Sequence, residues 1–429
     1  VALTGGVDYV VADLATTLCG KRQVPLPFFF SHTQNAHILM DAGVGAVVTS
    51  TPELFTALPK LQIIDPVDIP DGPLSFPDYL GGADRVIYTS GSSGRPKGVI
   101  IGDPQLSASL TALALVINAG PQDRHLSILP LAQLLEQICG IFLPILAGAE
   151  TVMRFEATKA LFGAPIAALT DAFEEVQPST SLLAPGLLGR WVQDLKAASR
   201  HAPASLRFVA VGGASSSPAL IYKAASVRIP VHEGYGLSEC CAVVAMNRPG
   251  QNRAGSVGQV LDGLEVEIIN NEITVTGPTI MAGYLNGTPA PERWYTGDLG
   301  HFDGDRLVID GRKYALLVTP AGRNISPEWI ESRVNADPRI VSSALALRQD
   351  GTLILIVVAV APITGPEIVA CLSDVPAYTQ PDGLILTDPS HPDLVFAAGT
   401  PNRAVAHQLV NTADALPLAP FQTKESLAS

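Results

Sequence analysis

The sequence predicts an α/β protein: a large N-terminal domain with parallel-rich sheets, helices and a small β subdomain, plus a small α+β C-terminal domain. Three observations carry this. Apolar residues make up 47% of the chain and charged ones 16%, the composition of a folded core. Residues 8–50 alternate helix-like and strand-like patterns, which is the grammar of a parallel sheet with covering helices. From Gly255 the texture changes to short strands broken by Gly, Pro and Asn turns. A chain of 429 residues allows roughly two to four domains. The boundaries are placed at 1–310, with 255–310 as the β subdomain, and at 311–429.

Taken in order, Val10 to Thr17 is amphipathic, Gln23 to Phe29 is extended, Asn35 to Ala42 is helical and Ala46 to Thr49 reads as a buried strand. Residues 66–82 are rich in Pro, Gly and Asp and read as a loop. Pro104 to Gly120 predicts a long apolar helix and a turn, and Leu129 to Gly148 an apolar wall. Leu206 to Val211 and Pro230 to His232 are strands that run into glycines. In the β subdomain, strands are expected at Val257–Val260, Leu264–Ile269, Glu272–Thr276 and Arg306–Ile309, with Asp310-Gly311-Arg312 as a linker. Beyond it come a strand at Tyr314–Val318, a helix from Ser326-Pro327 to about Asn335, and a hairpin of Ser342–Arg348 with Leu353–Ala361 turning at Asp350-Gly351.

The net charge of −13 argues against a nucleic-acid partner, which needs a basic face. Five cysteines, Cys19, Cys139, Cys240, Cys241 and Cys371, show no metal-ligand spacing and read as reduced and cytoplasmic, with Cys240-Cys241 as a buried structural pair. The longest apolar runs fall short of the roughly 20 residues of a membrane span. Without a signal peptide or initiator Met, the chain is expected to be trimmed at its start.

The chemistry concentrates in Tyr88-Thr89-Ser90-Gly91-Ser92-Ser93-Gly94-Arg95-Pro96-Lys97-Gly98, between two apolar strands. Glycines turn backbone N–H groups toward an anion, hydroxyls add rotatable donors, and Lys97 supplies a positive charge. The set suits a polyphosphate, although Pro96 before Lys97 and Gly98 after it exclude the common P-loop spacing. A plain Ser/Gly surface loop is the alternative, and the strands on both sides argue against it. Gly212-Gly213-Ala214 offers close backbone approach to a flat ligand, and Glu233-Gly234-Tyr235-Gly236-Leu237-Ser238-Glu239 supplies a ring, a hydroxyl and a carboxylate suited to a divalent cation.

Together these stretches resemble the adenylate-forming superfamily, which includes acyl-CoA synthetases, peptide-synthetase adenylation domains and luciferase-type enzymes. The family's phosphate loop matches Tyr88–Gly98, with Ser92 and Ser93 for two threonines. Its Gly-Tyr-Gly-x-Thr-Glu motif matches Gly234–Glu239 with Ser238 for Thr, and its Thr-Gly-Asp matches Thr296–Asp298. Its hinge segment matches Gly311–Ala315 loosely, and its Gly-Gly-x-Asn-Ile-x-Pro motif matches from Ala321 to Glu331. The order holds across about residues 8–410.

The resemblance implies that a carboxylate attacks the α-phosphorus of Mg²⁺-ATP, releasing pyrophosphate, and that a thiol then displaces AMP. The thiol would be coenzyme A or a carrier-protein arm. It implies that Ser90, Gly91, Ser92, Ser93, Gly94 and Lys97 hold the outer phosphates, and that Glu239 coordinates Mg²⁺ with Ser238 on the α-phosphate. Gly213, Ala214, Glu233, Tyr235 and Gly236 would line the adenine, and Asp298 and Arg312 would grip the ribose. The small domain would be mobile, pivoting at the position of Tyr314, with the Gly322 loop lining the thiol channel in its second orientation.

One departure stands out. The family's C-terminal catalytic Lys has Thr400 in its place, within Gly399-Thr400-Pro401-Asn402-Arg403. Losing a donor that acts only in the transition state costs about 10²–10³ in rate. Arg403 or Lys424 are the candidate substitutes. Three readings compete: a working acyl-CoA synthetase using another cation, a specialist in one half-reaction, and a non-catalytic nucleotide- or acyl-binding protein. The pocket segments Leu129–Gly148, Leu183–Leu187 and Gly212–Ser217 read as apolar or small, which predicts a fatty or otherwise hydrophobic acid.

Overall fold

The computed structural model describes residues 1–56, 61–69, 78–79, 81–89, 96–162, 164–313, 315–319, 324–337, 339–376, 379–387, 394–395 and 401–418. Its centre is a seven-stranded sheet. Five strands, Glu150–Met153, Arg124–Ser127, Thr180–Leu183, Phe208–Val211 and Val231–Tyr235, lie side by side and parallel. Thr180–Leu183 and Phe208–Val211 are buried along their whole length, as strands covered on both faces must be. Ala245–Met246 and Gln259–Val260 extend the sheet antiparallel.

Helices cover both faces. Asp103–Ile117 packs on one side, and its last turn closes on Asn118 in the left-handed conformation. Ala167–Val176, Pro185–Ala197 and Pro218–Ser226 contribute to the second core, where Phe173 stacks on fully buried Trp191 at 4.0 Å.

The apolar wall predicted at Leu129–Gly148 is helical but interrupted. Leu134–Gln137 passes into a π-type turn over Ile138–Phe142 before Leu143–Ala147 resumes. It is also less apolar than its sequence suggested. Glu136 is fully buried, accepts from the Ser127 hydroxyl, and lies 3.7 Å from the buried His125 ring.

The early strand expected at Ala46–Thr49 forms over Ala46–Val48, but it pairs with Gln62–Ile64 in a separate two-stranded parallel sheet, with Ala2 bridging to Thr49 on its other side. The parallel grammar of the first fifty residues therefore does not build the main sheet, whose parallel strands begin at Arg124.

Strands Asp84–Thr89 and Lys97–Gly102 form the expected antiparallel hairpin, paired from Asp84↔Gly102 to Thr89↔Lys97 and flanked by Gly283–Tyr284. Arg85 is buried beneath it. Its guanidinium donates to Asp13 (3.2 Å), Gln23 (3.1 Å) and Gln137 (2.7 Å) and lies over the Phe142 ring. A charge taken out of water this completely persists only with such a full set of partners.

A four-stranded antiparallel sheet follows, from Glu265–Ile269, Glu272–Thr276, Arg293–Asp303 and Arg306–Arg312. Gln259–Val260, read as part of it, belongs instead to the seven-stranded sheet. The supposed linker Asp310-Gly311-Arg312 is the end of a strand, with Arg312 directly opposite Asp298. The remaining chain makes a sheet of its own from Ile340–Leu347, Leu353–Ala359, Gly383–Thr387 and Leu416–Pro417. Helices Pro327–Val334, Gly365–Cys371 and Arg403–Thr412 accompany it. It has its own apolar clusters, one around Leu355 and Val357 and another around Ile356 and Val410. No helix among the described residues is long and apolar enough to cross a membrane.

Candidate active site

The parallel strands deliver their loops to one edge. Phe208–Val211 ends in Gly212, Gly213 and Ala214, and Val231–Tyr235 ends in Gly236 to Glu239. The crevice outside the carboxyl ends of such strands is where open α/β sheets bind ligands. Gly213 is exposed with φ +83°, a left-handed conformation that favours glycine, and Ala214 beside it is exposed too. Gly236 has a different constraint: a Cβ there would collide with the Ala242 backbone, which passes directly behind it.

Tyr235 links this edge to the four-stranded sheet. Its hydroxyl donates to the Asp298 carboxylate at 2.7 Å, and the Arg312 guanidinium approaches the other carboxylate oxygen at 3.1 Å. Asp298 stands within the long strand Arg293–Asp303, just before a bulge at Leu299/Gly300. Burial raises its carboxyl above the usual range, Arg312 and Tyr235 oppose that, and the charges of Glu328 and Glu239 add to it. Arg312 remains largely exposed, so it has a free face to offer.

Glu239 accepts a hydrogen bond from the Tyr284 hydroxyl at 2.8 Å, and the Lys97 ammonium lies 5.6 Å from the centre of the Tyr284 ring. Tyr284 thus connects Lys97 of the phosphate hairpin to Glu239, the acid that follows the Gly-Tyr-Gly segment, through one ring. Lys97, Glu239 and Asp298, far apart in sequence, share one neighbourhood. Ser238 opens a single helical turn, Ser238–Cys240, and is half-buried. Glu233 is buried with one carboxylate oxygen unpartnered, and burial pushes its carboxyl up to about 8. Cys240 and Cys241 are free thiols, both buried, and burial pushes both up, in keeping with a structural pair.

Ser90, Gly91, Ser92, Ser93 and Gly94 lie outside the described residues, as do Tyr314, Gly322, Thr400 and Lys424. Arg403 is described and is fully engaged: it donates to Glu331 through two nitrogens, one bond being 2.8 Å, and to Glu328 at 3.2 Å. Sequence reasoning missed Tyr284, whose one signal is an aromatic set between Gly283 and an Asn286-Gly287 turn. It also missed His37 and Asp41, which carry no signal at all.

A hairpin lysine, a carboxylate joined to it through Tyr284 and an Asp–Arg pair are the groups that the resemblance to adenylate-forming enzymes implies for the nucleotide. A family model described as AMP-binding enzyme matches residues 1–285, and the chain belongs to that family. The 2-succinylbenzoate–CoA ligase of Bacillus licheniformis is 27% identical over 377 residues, covering 82% of this chain and 76% of that protein. The indoleacetate–CoA ligase of Aromatoleum aromaticum is 29% identical over 304 residues, covering 65% of this chain and 57% of that protein. Among solved structures, the O-succinylbenzoate coenzyme A synthetase of Bacillus subtilis in complex with AMP superposes with a TM-score of 0.80 at 22% identity, over 97% of this chain and 89% of that one. These relatives place the chain among AMP-forming acid–thiol ligases.

Proposed function

We propose that the chain activates an aromatic carboxylic acid with ATP and transfers the acyl group to coenzyme A. The carboxylate oxygen attacks the α-phosphorus and pyrophosphate leaves. The thiol sulfur then attacks the acyl carbon and AMP leaves. The convergence of Lys97, Glu239 and the Asp298–Arg312 pair supports this most directly. Lys97 would neutralise the departing pyrophosphate, and Asp298 with Arg312 would fix the ribose, so that catalysis is largely positioning and charge compensation. Exposed Gly213 and Ala214 leave room for the base, with Glu233 and Tyr235 on the neighbouring strand. The remaining domain, from about residue 311, would close over the site between the two steps.

The donor set also fits magnesium. Among the described residues no cluster of three or more His, Cys, Asp or Glu could hold a metal by itself. Mg²⁺ is commonly held by one or two carboxylates together with substrate phosphates, which is what Glu239 beside the hairpin offers. The ion would draw charge from the phosphates; Glu239, oriented by Tyr284, would hold it.

The fatty or otherwise hydrophobic acid expected from the sequence gives way, in this reading, to an aromatic acid. The relatives that match over the greatest lengths are named as 2-succinylbenzoate–CoA ligases, and within the supposed apolar wall Glu136 is buried against Ser127 and His125. A half-reaction specialist remains a second reading, favoured by one observation: Arg403, the cation nearest to Thr400 in sequence, is already bound by Glu331 and Glu328. Pyrophosphate–ATP exchange with 2-succinylbenzoate, indoleacetate, benzoate and a series of fatty acids, followed by thioester formation with coenzyme A, tests both. Brisk exchange with an aryl acid is the expected result. Exchange confined to fatty acids would overturn the substrate class, and exchange seen only in Thr400→Lys would favour the specialist.

A further inference from the structure

Lys97 of the phosphate hairpin stands near Tyr284 and, through it, Glu239. The helix His32–Asp41 packs against the same hairpin. Its N-terminus is fixed by a capping box in which the Gln34 backbone donates to the Ser31 hydroxyl and the Ser31 backbone to the Gln34 side chain. Ile38 and Leu39 bury it against Val86 and Tyr88 of the hairpin.

Two polar residues of this helix reach the hairpin at both of its stems. His37 and Asp41, four residues apart, stand one turn from each other on a single face. Asp41 accepts from the Tyr88 hydroxyl at 2.7 Å, on the strand that enters the phosphate-binding stretch. The His37 Nε2 lies 3.2 Å from the Pro96 carbonyl oxygen, on the strand that leaves it. A carbonyl only accepts, so the ring donates there. The His37 ring also meets the Tyr88 ring edge-on at 6.5 Å. Asn286 donates to Asp41 from the neighbouring segment, and the Leu285 backbone donates to Gly98 at 2.7 Å, which locks the flanking strand to the same unit. A cleft of about 320 Å³ is lined by His37, Asp41, Lys97 and Tyr284 together.

We infer that His37 and Asp41 are positioning residues for the outer phosphates of ATP. They act through the hairpin: by holding Tyr88 and Pro96 they set the spacing and tilt from which Lys97 projects. The inference rests on the nucleotide reading proposed above. It makes a selective prediction, because AMP lacks the β- and γ-phosphates that the hairpin would serve.

Calorimetric titration of the full chain with MgATP and with AMP tests it, using His37→Ala, His37→Gln, Asp41→Ala and Tyr88→Phe. A single hydrogen bond of this kind supports a loss of about 3–10-fold in affinity. His37→Ala and Asp41→Ala are expected to weaken ATP by that factor and leave AMP within about twofold. His37→Gln, which keeps an N–H near the Nε2 position, should recover most of the loss. Asp41→Ala combined with Tyr88→Phe should cost little more than either alone, since the two share one bond. Equal weakening of ATP and AMP would reduce the helix to a structural support and overturn the inference. Unchanged ATP affinity in every variant would overturn it as well. If the unsubstituted chain binds AMP and ATP, the nucleotide reading survives either of those failures; if it binds neither, both fall together.

Discussion

The Tyr235 hydroxyl donates to Asp298 at 2.7 Å across 63 residues of sequence, joining the last parallel strand to the four-stranded sheet at the edge where the nucleotide would sit. Removing the donor with Tyr235→Phe leaves Asp298 with Arg312 as its remaining charged partner. We expect KM for ATP to rise about 3–10-fold, with a melting temperature close to that of the parent chain. Asp298→Ala should be more severe, by about 10²-fold in kcat/KM for ATP, because it strands the buried Tyr235 hydroxyl and removes the acceptor for the ribose. Steady-state kinetics with saturating acid would check this; an Asp298→Ala variant with unaltered KM for ATP would place the pair outside the site.

Glu233 makes stability depend on pH. Its carboxyl moves from an ordinary value of 4.5 to about 8 because burial disfavours the charged form. Below the ordinary value both folded and unfolded chains hold the proton, and burial carries no ionic penalty. As pH rises the unfolded chain releases its proton first, so the folded state loses ground steadily until its own carboxyl ionises near 8. Glu233→Gln abolishes that dependence. Thermal melting at pH 5 and pH 8 should therefore show a smaller drop for Glu233→Gln than for the parent, by up to a few kcal/mol in stability. Parallel pH profiles for the two chains would refute it.

The Arg403–Glu331 pair separates a structural from a catalytic reading of Arg403. Glu331 is buried, and its carboxylate also accepts from the Leu345 backbone at 2.7 Å, so it depends on Arg403 for charge compensation. Arg403→Ala is expected to destabilise the chain by about 1–3 kcal/mol, a figure reduced from that of a fully buried pair because water reaches the arginine's outer face. Glu331→Gln in the same chain should recover part of the loss. Should Arg403→Ala melt like the parent and yet exchange pyrophosphate 10²–10³-fold more slowly, a transition-state role would be indicated.

Much of the molecule was legible beforehand, for identifiable reasons. The hairpin around the phosphate stretch announced itself through two apolar runs with a glycine-rich interval, and helix Pro327–Val334 through Ser326-Pro327 at its start. Strand Phe208–Val211 was readable because burial on both faces demands an unbroken apolar run. The failures were failures of partnership. Ala46–Val48 is a strand, but nothing in three residues says which sheet it joins. Arg312 was assigned to a linker, and Asp298 was singled out without its strand, because Gly297 and Gly311 look like punctuation. Both glycines have positive φ within paired strands instead. His37 and Asp41 were invisible since an i, i+4 polar pair on an amphipathic helix looks like any solvated face until the hairpin behind it is known.

The π-type turn at Ile138–Phe142 carries a last implication. It holds one residue more than an α-turn would, and each residue of a helix advances the side chains by about 100°. Because the extra residue is absorbed within that one turn, shortening the stretch by a single residue would leave an ordinary helix with Leu143 still inward and Ile145 still outward. The change would be confined to the turn itself, where Phe142 lies under the Arg85 guanidinium. This segment could therefore gain or lose a residue without disturbing the helix on either side of it.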